Sequence, residues 1–375
     1  MMEFMQQAFD EAILAVGISR PNPPVGAVVV VPSIDGGFAV VGRGHTQKPG
    51  GAHAEVMALR DAGDAAKGAD LFVTLEPCCH YGRTPPCTKA IIEAGIKRVF
   101  FAHADPNPQV RGKSRKILEE AGVEVFEGLE ACDDRGLFAE ISRFYEAYDY
   151  FVCNKATFVE IKSAITRNGF MAHSDKSPLK ITGEGADIWN HELRSFSDAI
   201  LIGAGTLLHD NPGLTVRLAE GNNPVKMILA GHHVFTAEEF ASLKVFAECA
   251  PDACAAGTDC PMVILYSCVE QPAFESAACK NTAVQVVHLP GETFEENWKS
   301  VLRDACSRGM HRLMVEPGAA LVASLFESGL WNRLDLWRSD DEVDEGLPYP
   351  ELPATIVAAT SGMIGKDVLT VYYPG

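Results

Sequence analysis

Met5, Phe9, Ala12, Ile13 and Val16 recur at three- and four-residue intervals, which predicts an amphipathic helix. The proline-rich run from Ser19 to Pro24 ends it. Residues 25–31 are unbroken apolar and mostly β-branched, as in a strand buried on both faces, and 38–41 suit a hairpin partner. A second helical pattern opens at His53, with Val56, Met57 and Leu59 apolar and Gly63 as the stop. Strands are expected at 71–75, 99–102 and 123–126, and helices at 88–94 and 113–121. That alternation predicts an α/β layer with a mostly parallel sheet. Residues 130–150 read as an acidic, aromatic helix linking two domains. Apolar runs then return at 158–164, 199–202, 225–229, 262–265, 284–289 and 313–315, with helical patterns between several of them. A second α/β domain follows, and the expected division is 1–147 and 148–375. There is no internal repeat.

A length of 375 residues suits two domains. The formal net charge of −18 disfavours a nucleic-acid partner, while leaving room for a local basic pocket. No apolar run approaches the ~20 residues that span a bilayer, so no membrane partner is expected. The N-terminus enters its helix without a basic start or small-residue cleavage site, so a cytoplasmic location is expected. Eleven scattered cysteines then read as reduced thiols plus metal ligands. Five of them, Cys249, Cys254, Cys260, Cys268 and Cys279, fall in a loop-rich stretch without a histidine or a tight pair, and are expected to be ordinary thiols.

The chemistry concentrates in two short strings. His53-Ala54-Glu55 precedes Glu76-Pro-Cys-Cys-His-Tyr-Gly-Arg-Thr-Pro-Pro-Cys87. His53, Cys78 and Cys87 supply three ligands of the kind Zn²⁺ prefers and leave a fourth position for water, the pattern of a catalytic rather than structural site. Zinc lowers the pKa of its water toward ~7, which yields a hydroxide able to attack an amidine-like ring carbon. Glu55 remains free of the metal to carry protons to a ring nitrogen and to the departing ammonia. Cys79 competes as a ligand, but the position directly after Pro77 favours Cys78. This parts list is that of a zinc hydrolytic deaminase, although eight residues separate Cys78 from Cys87 where the general pattern has two.

That long spacing, with Pro21-Asn22-Pro23, Gly42-Arg43-Gly44-His45 and Asp105-Pro106-Asn107-Pro108, resembles the deaminase half of the bifunctional riboflavin-biosynthesis deaminase–reductase family. The resemblance spans residues 5–130 and implies a cytidine-deaminase-like three-layer α/β/α domain. It also implies deamination of 2,5-diamino-6-(5-phosphoribosylamino)pyrimidin-4(3H)-one at the pyrimidine C2. Asn22, His45, His80, Arg83, Asp105 and Asn107 are the implied substrate contacts. Amide and imidazole groups suit the base, Arg83 the phosphate, and Asp105 and Asn107 the ribose. One departure is Lys113-Ser114, where the family has a second glycine after Gly112.

Downstream, 162–169, Ile181-Thr182-Gly183, 199–217 and 315–321 resemble the family's reductase half. This implies a dihydrofolate-reductase-like α/β domain that uses NADPH to reduce the ribosyl group to a ribityl chain. Ser163, Thr206, Asp210 and Gly318 are the implied cofactor contacts; Arg194, Leu214, Arg217 and Glu316 are the implied substrate contacts. Departures are concentrated here. Thr166-Arg167-Asn168-Gly169 stands for Ser-Leu-Asp-Gly, Lys180 for a tryptophan, Pro317 precedes Gly318, and an acidic stretch at 335–345 replaces an Ala-Pro-Lys strand. A second reading therefore stands beside the bifunctional one: a deaminase whose second domain only binds or scaffolds. A third, a deaminase for another base, fits poorly with the acidic charge and the long Cys-to-Cys loop. The resemblance further implies a small-molecule phosphoribosylaminopyrimidine substrate, and a homo-oligomer is expected.

Overall fold

Strands alternating with amphipathic helices build two separate sheets. The computed structural model describes residues 2–33, 36–82, 84–132, 134–175, 179–247, 263–275 and 284–375. The chain divides into Met1–Ala156 with Glu220–Asn222, and Thr157–Ala219 with Asn223–Gly375. Arg83, Cys249, Cys254, Cys260 and Cys279 lie outside the described residues. No helix among the described residues is long and apolar enough to cross a membrane.

The first unit runs α1 (Met2–Ala15), β1 (Gly26–Pro32), β2 (Phe38–His45), α2 (Ala54–Ala62), β3 (Asp70–Leu75), α3 (Cys87–Glu93), β4 (Arg98–His103), α4 (Lys113–Glu120), β5 (Glu124–Glu127), α5 (Leu129–Cys132) and α6 (Arg135–Asn154). Its sheet has the order β2-β1-β3-β4-β5. Only β3, β4 and β5 are parallel; β1 runs antiparallel to its expected hairpin partner β2 and also to β3, so the sheet is less parallel than expected. The glycines of Gly42-Arg43-Gly44-His45 have a packing reason. A Cβ on Gly42 would sit 2.2 Å from the Ala58 carbonyl oxygen, and one on Gly44 2.5 Å from the Ala58 nitrogen. Their absence lets α2 lie flat on β2 and sets His53, at its N-cap, over the sheet edge.

The expected linker helix is in fact core. α6 buries Leu137, Ile141, Phe144, Tyr145, Ala147 and Tyr148, and the Tyr145 hydroxyl bridges Thr74 Oγ1 (2.6 Å) and the Pro24 carbonyl oxygen (2.8 Å). The boundary expected at 147/148 therefore falls inside a helix of the first unit, and the observed division is at 156/157.

The second unit runs β6 (Phe158–Ile165), β7 (Phe170–Ala172), α7 (Glu184–Ser195), β8 (Ala199–Gly203), α8 (Ala204–Asp210), β9 (Val225–Gly231), α9 (Ala237–Ser242), α10 (Lys244–Ala247), β10 (Val263–Ser267), α11 (Pro272–Glu275), β11 (Val284–His288), α12 (Phe294–Ser307), β12 (Arg312–Val315), α13 (Ala319–Ser328), β13 (Arg333–Arg338), β14 (Leu347–Pro348), β15 (Val357–Ile364) and β16 (Asp367–Tyr373). The sheet order is β11-β10-β9-β8-β12-β6-β13-β16-β15, parallel from β11 to β13 and antiparallel thereafter. Strand alternation divides the core between the two faces. Ala199 and Leu201 pack with Trp298 and Leu313, whereas Ile200 and Ile202 pack with Trp189 and Trp337.

Residues 335–345, read from sequence as an acidic replacement for a strand, begin with a strand all the same. β13 carries Asp335 fully buried, and its charge is met by Arg333 Nε at 2.8 Å. Arg333 also faces Glu160 (3.4 Å), which pairs with the buried Arg312. Two carboxylates and two guanidiniums thus neutralise one another inside the sheet, which is the condition for burying charge at all.

Candidate functional site

β3 ends at Leu75, and the chain then turns through Pro77 to Cys78; Pro86 caps α3, whose first residue is Cys87. With His53 at the N-cap of α2, the two helix starts converge on the Glu-Pro-Cys turn. His53 Nδ1 lies 3.5 Å from Cys78 Sγ and 3.3 Å from Cys87 Sγ, and the sulfurs are 3.4 Å apart. All three donor atoms fall within 4.8 Å of one another, the only such group of three among the described residues. A tetrahedral Zn²⁺ with ordinary Zn–S and Zn–N bonds requires edges of about 3.6–3.8 Å, so this donor set fits the ion in both chemistry and size. Cys79 is outside the cluster; its thiol donates to the Gln109 carbonyl oxygen. The Cys87 amide, at the start of α3, donates to Cys78 Sγ at 3.3 Å, and Thr84 Oγ1 stands 3.4 Å from His53 Nε2.

The electrostatics favour one thiolate and a proton carrier beside it. Hydrogen bonding from Cys87, then from His53, holds the Cys78 thiol down to about 4 despite burial. The same pairing and burial push Cys87 well above its usual value. The hydrogen bond to Cys78 lifts His53 to about 9. Glu55 is almost fully buried, and burial followed by the Cys78 charge raises it to about 7. A carboxyl group poised near neutrality is suited to both taking and giving a proton.

These groups open on a cavity of about 410 Å³, also lined by Asn22, His80, Asp105 and Asn107. His80 Nδ1 and Glu76 Oε1 are buried in its wall without a hydrogen-bond partner among the described residues. Burial raises Asp105 to about 6, against the hydrogen bond it accepts from the Asn107 amide (2.8 Å). His45 is not part of this lining. Its neighbour Gly44 faces α2, and strand alternation turns His45 toward α1, where Nδ1 is 2.9 Å from Glu11 Oε2. Sequence reasoning missed the wall supplied by Tyr148, Phe151, Val152 and Lys155, from α6 and its C-cap.

In the second unit, a cavity of about 510 Å³ is lined by Ser163, Thr206, Asp210, Glu316 and Gly318, together with Lys162. Gly318 is the N-cap of α13, and Ala319, Ala320 and Leu321 after it line the same cavity, so a helix start borders it, the usual setting for a phosphate. Arg194, Leu214 and Arg217 are not in its lining. Arg194 is buried and grips Glu316 with both arms, Nε–Oε1 and Nη2–Oε2 each 3.0 Å. Burial alone would raise Glu316, but Arg194 and Lys162 override it and hold the carboxylate below its usual range. Leu214 is buried at a φ of 53°, a conformation that β-carbon-bearing residues rarely adopt. Exposed Arg217 donates to Thr215 Oγ1 at 2.8 Å. Lys162 opens the matching stretch 162–169 and lines this cavity. Loss of hydration, opposed by Glu316, lowers its pKa.

A profile of the cytidine and deoxycytidylate deaminase zinc-binding region matches residues 1–103, and one of the RibD C-terminal domain matches 157–337. Riboflavin biosynthesis protein RibD of Aquifex aeolicus is 35% identical over 350 residues, covering 93% of this chain and 89% of the relative. The chain belongs to the RibD family. The family's riboflavin-biosynthesis protein from Haemophilus influenzae is 32% identical, with 99% of this chain and 96% of the relative covered. A crystal structure from Thermotoga maritima, a diaminohydroxyphosphoribosylaminopyrimidine deaminase/5-amino-6-(5-phosphoribosylamino)uracil reductase, is 32% identical with a TM-score of 0.73. It covers 100% of this chain and 98% of that one. This chain is accordingly a bifunctional riboflavin-biosynthesis enzyme with a zinc-binding deaminase domain and a reductase domain that implies a nicotinamide cofactor. Matches running through both halves disfavour the reading in which the second domain is a bare scaffold.

Proposed function

We propose that the first domain deaminates 2,5-diamino-6-(5-phosphoribosylamino)pyrimidin-4(3H)-one and that the second reduces the ribosyl chain of the product with NADPH. The observation that carries this reading is the His53–Cys78–Cys87 triangle with buried Glu55 beside it, on a cavity that also holds Asn22, His80, Asp105 and Asn107. Zinc, when held by His53, Cys78 and Cys87, supplies the Lewis acidity that makes water a nucleophile at neutral pH. Glu55 receives the proton of the attacking water and returns protons to the ring nitrogen and the leaving ammonia. His80 and Asn22 orient the base, and Asp105 and Asn107 bind the ribose hydroxyls. Burial of the floor keeps bulk water from competing for these hydrogen bonds.

In the second domain, Ser163, Thr206, Asp210 and Gly318 hold the dinucleotide, which supplies the hydride. Glu316, fixed by Arg194, orients the sugar, and Lys162 holds or yields a proton at Nζ beside it, as a lysine with a depressed pKa is able to do. Arg217, exposed on the loop that also carries Leu214, is assigned to the substrate phosphate. The deciding experiment incubates purified protein with the diaminopyrimidine phosphoribosyl substrate and NADPH, following ammonia and NADPH absorbance together. The expected result is ammonia release followed by stoichiometric NADPH oxidation. Ammonia without oxidation rules out the second step, and turnover of free bases without the ribose phosphate rules out the first.

A further inference from the structure

Glu76 belongs to the Glu-Pro-Cys turn but is neither metal ligand nor proton carrier in the reading above. It is 3% exposed and lines the deaminase cavity. One oxygen, Oε2, accepts two backbone N–H bonds from the neighbouring segment that follows β4: Asp105 N at 3.4 Å and Gly112 N at 3.2 Å. These are the two ends of the segment carrying Asp105 and Asn107. Within it, Asp105 Oδ1 accepts the Asn107 amide (2.8 Å) and Asn107 Oδ1 accepts the Gln109 amide (3.0 Å). The loop therefore braces itself through short side-chain-to-backbone bonds and is pinned at both ends by a single carboxylate. Beside it, Ser114 Oγ donates to the Pro77 carbonyl oxygen (2.5 Å), tying the start of α4 to the same turn.

We propose that Glu76 is a positioning residue for the deaminase substrate: it sets the height of the 105–112 loop against the metal-binding turn, and so aligns the ribose-binding side chains with the reacting ring. The geometry gives it this role because Glu76 is two residues from Cys78, so the loop's position is referenced to the ligand turn rather than to a distant strand. The proposal rests on Asp105 and Asn107 contacting the ribose.

Two substitutions separate position from charge. Glu76→Gln keeps an acceptor oxygen at the same reach and removes the charge; Glu76→Asp keeps the charge and withdraws the acceptor by one methylene. Loss of hydrogen bonds to a charged, buried acceptor is worth about tenfold or more in an equilibrium. In zinc-loaded protein, Glu76→Asp is expected to raise the deamination KM about tenfold with kcat and zinc content retained, while Glu76→Gln stays within about twofold of the parent. A larger KM for Gln than for Asp overturns the proposal, because charge rather than position would then matter, and so does an unchanged KM in both. Loss of zinc or of the folded state in Glu76→Asp overturns it too, since the residue would then support the metal cradle or the fold rather than the loop. Asp105→Ala and Asn107→Ala are run alongside. If neither raises KM, the assignment of the ribose contacts has failed, whatever Glu76 does.

Discussion

The two domains bury carboxylates on opposite terms. Around the deaminase cavity Glu55, Glu76 and Asp105 are buried, and among the described residues none is ion-paired with arginine or lysine; all three are raised, with burial the largest cause. In the reductase domain Glu160, Asp335 and Glu316 are each held by arginine. Unpaired burial costs stability and is tolerated where a proton must move or a ligand must be gripped. Paired burial is neutral to the chemistry unless one partner opens on a cavity, as Glu316 does. The contrast separates carboxylates that act at a site, by moving a proton or placing a ligand, from carboxylates that hold the sheet together, and it can be broken by substitution.

The largest effect is expected at Glu55. Glu55→Gln keeps size and removes the proton carrier, so deamination should fall by about 10²–10⁴ with zinc content unchanged. Ammonia release and metal analysis on the same sample check it, and retained turnover would falsify the role. Glu160→Ala tests the other side. It removes the carboxylate that faces both Arg312 and Arg333 in the sheet, and breaking a buried pair costs about 3–5 kcal/mol, so the melting transition of the reductase domain should fall well below its value in the parent. A melting curve like that of the parent would show the cluster to be dispensable.

Asp105 gives a smaller, pH-dependent effect. The folded carboxyl holds its proton up to about pH 6, whereas an unfolded aspartate releases it near ~3.9. Between those values the folded chain binds more protons, so the residue's unfavourable contribution grows as pH rises from ~3.9 to about 6, is complete above that, and is absent below ~3.9. Asp105→Asn is therefore expected to stabilise the first domain at pH 7 by about 1–2 kcal/mol and to lose that advantage by pH 4. Parallel denaturant titrations at the two pH values measure it, and a pH-independent difference would show that burial is not what perturbs Asp105.

The His53–Cys78–Cys87 donor cluster was legible because zinc chemistry restricts residue type and spacing at once, and no tertiary information is needed to put these three residues forward together. What escaped was hidden by the same physics. Tyr148, Phe151 and Val152 form a cavity wall, but along the sequence an aromatic face on a helix is indistinguishable from core. β13 was read as an acidic segment because Arg333 and Asp335 mask its apolar alternation, and their pairing partner Glu160 is far away in sequence. β15 is exposed over most of its length and carries Thr360, Ser361 and Gly362, so no hydrophobic signal marks it. Glu160 and Lys162 interrupt one apolar strand in the same way. One turns into the core to meet arginine and the other opens on a cavity, a distinction set by neighbouring strands. His45 lies outside the cavity lining for a local reason: the motif that names it is held by its glycines, and the imidazole pairs with Glu11.

The smallest effect tests whether the family-divergent turn acts or holds. Arg167 stands where the resemblance expects leucine, and its side chain is 56% exposed, 2.8 Å from Glu342 and 3.7 Å from Asp340. Its neighbour Asn168 donates to the Val343 carbonyl oxygen at 2.7 Å and accepts from Thr166 Oγ1 at 2.8 Å. The side chains of Arg167 and Asn168 are thus spent on the acidic segment 340–343 or on the turn itself, and none of residues 166–169 lines the reductase cavity. The substitutions are accordingly a matched pair, a basic turn with an acidic strap. Exposed ion pairs contribute about 0.2–1 kcal/mol, so Arg167→Ala should lower reductase-domain stability by less than about 1 kcal/mol, with the loss shrinking in high salt. NADPH oxidation at saturating substrate should be unchanged. If instead oxidation slows while the melting curve stays put, the turn belongs with the acting groups, and the division between carboxylates that act and those that hold fails in the reductase half.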